Sequence, residues 1–67
     1  MGKVYIYVLT QYGVVFGASS DAQVLRGQVR ETLPFHLWPE YKILRLVEGD
    51  IGINAVTTFR LPEFMAS

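Results

Sequence analysis

The sequence contains no cysteine, a single histidine (His36) and no excess of either charge, with six basic residues against six acidic ones. Without cysteine there are no disulfides, and one imidazole cannot build the nitrogen and sulfur ligand set of a zinc site. Balanced charge excludes the basic stripe that neutralises phosphates in nucleic-acid binding, and equally an acidic mimic of a duplex. No apolar run approaches the ~20 residues of a membrane span. Met1-Gly2-Lys3 leads straight into Val4-Tyr5-Ile6-Tyr7-Val8-Leu9, six apolar residues that are too few for a signal-peptide core. These absences lead us to expect a cytoplasmic protein.

What is present is apolar. The chain of 67 residues is 51% hydrophobic and only 18% charged, and its mean hydropathy is +0.27. A chain this short makes one domain, residues 1–67. Mass scaling gives it roughly 11,000 Å² of unfolded and roughly 4,300 Å² of folded surface. Burying that difference, if about 60% apolar, contributes roughly 100 kcal/mol at ~25 cal/mol/Å². Ordering the chain at ~1.5 kcal/mol per residue costs about as much. A monomer stands near break-even, and a small domain should be more charged than average rather than less. With disulfides and zinc gone, a homo-oligomer is the expected source of extra stability.

Lys3 to Thr10 is short, β-branched and apolar on both faces, which reads as a central strand over about 3–10. Thr10-Gln11-Tyr12-Gly13 reads as a hairpin turn with Gly13 at positive φ, returning as a strand over 14–18. Ser20 and Gln23 have the spacing of a capping box, and Asp21 adds favourable charge at a helix start. The stripe Ala22, Leu25, Val29, Leu33 predicts a helix over about 21–33 that Pro34 limits. Phe35-His36-Leu37-Trp38-Pro39-Glu40 reads as an aromatic loop. Strands over 41–48 and 53–61 flank the turn Gly49-Asp50-Ile51-Gly52, and residues 62–67 form a tail. That tail carries Phe64 and Met65, which a free terminus does not need.

The order β-β-α-β-β predicts an α+β fold, a small antiparallel or mixed four-stranded sheet with one helix on one face. Strand parity is expected to turn Val4, Ile6, Val8, Phe16, Leu44, Leu46, Ala55, Phe59 and Leu61 toward the helix. The other face then shows Tyr5, Tyr7, Val15, Ile43, Arg45, Asn54, Val56, Thr58 and Arg60, open to water or to another chain.

Catalytic chemistry is hard to assemble here. A nucleophile needs a base and an orienting group, and His36 sits in a loop between Phe35 and Leu37 with neither in sequence reach. Ser19 and Ser20 are accounted for as helix-capping residues, and the carboxylates Glu31, Glu40, Glu48, Asp50 and Glu63 are scattered at element ends. There is no phosphate-binding glycine loop. The expectation is a protein that is not an enzyme and carries no cofactor or metal. Six residues of the second face, Tyr5, Tyr7, Arg45, Asn54, Thr58 and Arg60, combine rings, guanidinium groups and small polar side chains. Such a set suits a binding surface for a protein or a small anion, and equally an oligomer interface. Phe35, His36 and Trp38 either cap the core or present a partner loop.

In size and element pattern alone the chain resembles small single-domain proteins of bacteriophages and their hosts. Inhibitors of host or defence machinery are frequent among the phage examples. The resemblance implies a homo-oligomeric stoichiometric inhibitor of a larger protein, in the host cytosol if phage-encoded. The alternative is a protein that sequesters a small nucleotide-like anion at subunit interfaces.

Overall fold

The computed structural model describes residues 4–49 and 52–66, with side chains described outside 48–56. Strands β1 (Val4–Gln11) and β2 (Val14–Ser19) precede helix α1 (Ala22–Thr32) and a 3-10 helix (Phe35–Glu40). Strands β3 (Lys42–Gly49) and β4 (Gly52–Arg60) and a short helix α2 (Leu61–Ala66) complete the chain. The sheet order is β2-β1-β3-β4 and every neighbouring pair is antiparallel, so the fold is α+β with an antiparallel sheet. The aromatic loop and the tail are corrected to helical segments.

Local chemistry explains the boundaries. The β1–β2 loop is two residues, Tyr12 at φ 51 and Gly13 at φ 80, the pair of positive φ values that matches hairpin twist. A bulge follows, since Leu9 pairs with Gly17 and Thr10 with Val15, leaving Phe16 as the extra residue. Helix α1 does not start on Ser20. Asp21 is the N-cap, its carboxylate accepting from the Gln23 amide at 2.9 Å, and Ser19 Oγ accepts from the Asp21 amide at 3.1 Å. Asp outcompetes Ser20 because its charged side chain also answers the helix dipole. At the far end Leu33 turns extended before Pro34 while its amide still donates to Val29 O, the stop expected ahead of proline.

The apolar stripe of α1 is the core's upper layer: Leu25 and Val29 are fully buried, with Ala22 and Leu33 packed beside them. Beneath lie Leu9, Tyr41, Ile43, Leu61 and Phe64. Gly17 on β2 faces Leu25 Cδ1 and Gln28 Oε1 of α1, where a Cβ would stand at ordinary contact distance of 3.9–4.0 Å. Phe64 gives α2 its reason to fold back, since only 3% of it is exposed. The Leu61 amide donating to Tyr41 O at 3.1 Å ties the start of α2 to β3.

The facing of β1 and β3 is the reverse of the expectation. Leu9 and Ile43 are buried under the helices and Tyr7 packs on the same core, whereas Val4 is 51% exposed. Register requires this: Leu9 pairs with Ile43, Ile43 with Phe59, and Tyr7 with Arg45, and cross-strand partners share a face. Both faces of β1 and β3 carry apolar residues, so alternation does not mark the buried one. The expectation held for Phe16, which meets Tyr41 edge-on at 5.6 Å, for Phe59 and Leu61, and for Val15 on the open side. Ala55 and Val56 lie outside the described side chains.

Candidate functional site

The six residues expected to form one binding face are divided by the sheet. Tyr5, Tyr7 and Arg45 stand together on the helix side, near the end of the sheet away from the β1–β2 hairpin. The Arg45 guanidinium lies 5.0 Å over the Tyr5 ring and 5.5 Å over Phe59. Tyr7 meets Tyr5 at 6.5 Å and Phe64 at 5.7 Å between ring centroids. Arg26 from α1 extends the cluster, its guanidinium 4.6 Å over the Phe64 ring and its Nε donating to Phe64 O at 3.0 Å. Two guanidinium groups and four rings form a connected chain of cation–π and tilted ring contacts that pins α2 to the sheet. Arg45 Nε is buried and has no hydrogen-bond acceptor among the described residues.

Thr58 and Arg60 belong to the opposite face and are exposed. Arg60 Nε lies 3.9 Å from Glu63 Oε1, a solvated pair that contributes little. Asn54 lies outside the described side chains. The premise of a single Tyr–Arg face therefore does not hold. Arg26 and Phe64 were missed as its members, although the apolar residues of the tail were the available signal for Phe64.

The partner-loop residues are divided as well. Trp38 is half-buried, donates Nε1–H to Leu33 O at 3.2 Å and packs with Leu37 on the core. Phe35 stacks on Trp38 at 4.9 Å yet remains 77% exposed, and His36 is exposed beside it. The 3-10 turn, held by Leu37 N–H to Pro34 O and Tyr41 N–H to Trp38 O, thus closes the core with one ring and presents the other.

The parity inversion creates the most unusual surface. Both helices lie on one side of the sheet, and on the other side Val4, Ile6 and Val8 of β1 adjoin Leu44 and Leu46 of β3, with Val4 exposed and the other four half-buried. Val15, 61% exposed, and Ala18 extend the band onto β2. Arg45, between Leu44 and Leu46 in sequence, points to the helix side, so no charge falls within this band. Lys42 and Arg60, cross-strand neighbours, mark one end. The band is apolar and contiguous over three strands, the kind of patch that marks interaction sites in proteins generally.

Concave space lies elsewhere. Shallow grooves of about 340 and 290 Å³ flank Pro39 and Lys42, the second bounded by Arg60, Pro62 and Glu63. A third, about 300 Å³, runs between Phe16, Tyr41 and Leu33. Among the described residues no three His, Cys, Asp or Glu side chains converge on a metal-sized space, and no helix is long and apolar enough to cross a membrane. No family model, curated protein or solved structure matches the chain. Its function has to be read from its own surfaces.

Proposed function

We propose that this chain is a non-enzymatic, homo-oligomeric binding protein that works by surface association, its assembled form acting as a stoichiometric inhibitor of a larger protein. The observation that carries the reading is the apolar face built from Val4, Ile6, Val8, Leu44 and Leu46. Such a face is unfavourable in water and becomes favourable when a macromolecular surface covers it. The exposed Phe35 ring, backed by Trp38, supplies a second, smaller contact of the aromatic type that dominates binding energies.

The alternative of small-anion sequestration has one observation in its favour, the buried Arg45 Nε without an acceptor. The three grooves found among the described residues are not lined by Arg45, and the association reading takes precedence.

Hydroxyl-radical footprinting tests it. Side chains of the open face should be protected at working concentration while Tyr12, in the hairpin turn, labels freely. Full labelling of Leu44 and Leu46 under every condition, with or without other macromolecules, would reject association through this face.

A further inference from the structure

We infer that the occupant of the open face is a second copy of this chain, the two sheets packing face to face in a two-fold homodimer. This rests on the reading of that face as an association surface and names its partner. Self-association requires a patch that meets itself without burying an unpaired charge. The band from Val4 to Val8 and from Leu44 to Leu46 meets that condition.

The area approaches what a dimer needs. Counted over the whole open side, four strands at ~4.8 Å spacing and about seven residues of ~3.3 Å each give roughly 450 Å² of projected sheet per copy, about three quarters of it on the three strands that carry the apolar band. Two copies bury roughly 900 Å² before side-chain relief is counted, near the ~1,000 Å² that marks a specific interface. Shape agrees. The molecule measures 39 × 22 × 17 Å, and its radius of gyration of 12.0 Å exceeds the ~11 Å of a compact domain this long. Its accessible surface, 4696 Å², is also about 400 Å² above the monomer scaling. A slab of helix and sheet is half of a symmetric four-layer sandwich.

Charge sets the orientation. Lys42 and Arg60 are neighbours at one end of the face, at the level of Thr10. A two-fold axis along the strands brings these cations of both copies together. An axis across the strands seats them over the Val4 end of the partner, about 20 Å away along the sheet. The strands of the two copies therefore run antiparallel across the interface, at the modest angle that sheet twist imposes. Both Phe35 rings stay on the outside of this dimer.

Sedimentation and light scattering on the full chain at ~100 µM should return twice the chain mass of 7.6 kDa. Leu46→Lys should give a monomer with unchanged far-ultraviolet circular dichroism. Should that variant unfold, Val4→Lys at the exposed rim should raise the dimer dissociation constant at least several-fold with the fold intact. A wild-type monomer at ~100 µM overturns the homodimer. If the face of that monomer is nevertheless protected on adding another macromolecule, the association reading survives. If it is never protected, both fall. Cross-linking of two Lys42→Cys chains by a short bis-maleimide overturns the antiparallel seating.

Discussion

Single residues in this chain are held by chemistry that is visible one contact at a time. Asp21 caps α1 and Ser20 does not, so Asp21→Ala should cost about 1 kcal/mol in chemical denaturation while Ser20→Ala stays within about 0.5. Equal losses would contradict the cap assignment. Gly27 lies in mid-helix with nothing within 4 Å of where a Cβ would stand. No close approach requires it, and Gly27→Ala should stabilise by about 0.5–1 kcal/mol, raising the melting temperature a few degrees. Arg45 presents the opposite case, a guanidinium whose Nε–H is buried without an acceptor. Arg45→Met keeps the length and packing between Tyr5 and Phe59 and removes the unsatisfied donor. Its stability should match wild type within about 1 kcal/mol. A loss of several kcal/mol would show that the charge itself organises the cluster.

At the scale of elements, α2 is too short to persist by itself, because six residues close too few hydrogen bonds to repay nucleation. It exists because Leu61 and Phe64 are buried and because Arg26 holds it, its guanidinium lying over the Phe64 ring and its Nε–H donating to Phe64 O. Phe64→Ala should cost about 3–5 kcal/mol, enough to leave little folded chain at 25 °C in a domain whose whole stability is of that order. Circular dichroism with a urea titration reads this directly. The helix α1, the two antiparallel strand pairs and the β1–β2 turn were legible because caps, Pro34, Gly13 and helical spacing are local signals, while Asp50 and Ile51 of the expected second turn lie outside the described residues. The 3-10 turn and α2 were not, since their folding depends on Trp38, Leu61 and Phe64 finding a core assembled from distant strands. The Phe16 bulge was equally hidden. It serves the β2 edge by twisting it and placing that ring against Tyr41.

The whole molecule is a two-layer slab with one layer's outer face apolar, and its stability should depend on how much of it is present. A homodimer's melting temperature rises with protein concentration, by mass action on the folded and associated state. Calorimetry across a hundredfold range should show that rise in the wild type and none in Leu46→Lys. A concentration-independent midpoint in both would mean that the open face is stable in water. Substitution of Phe35 by Ala should leave assembly untouched, because that ring points away from the sheet interface.

The sequence by itself determined the class, the element order up to α1, the capped and proline-stopped helix and the excess of apolar surface over charge. These follow from local conformational preference and from composition, which need no knowledge of distant contacts. Only the tertiary structure decided which face of β1 and β3 turns inward. Tyr5 and Tyr7 carry a hydroxyl and are less apolar than Val4, Ile6 and Val8, so hydropathy by itself points to the face that the fold leaves open. Pairing of Ile43 with both Leu9 and Phe59 fixes the choice, because residues opposite one another in a sheet cannot point to different sides. One such register brought Arg45 in among rings and left Val4, Ile6, Val8, Leu44 and Leu46 on the side without helices.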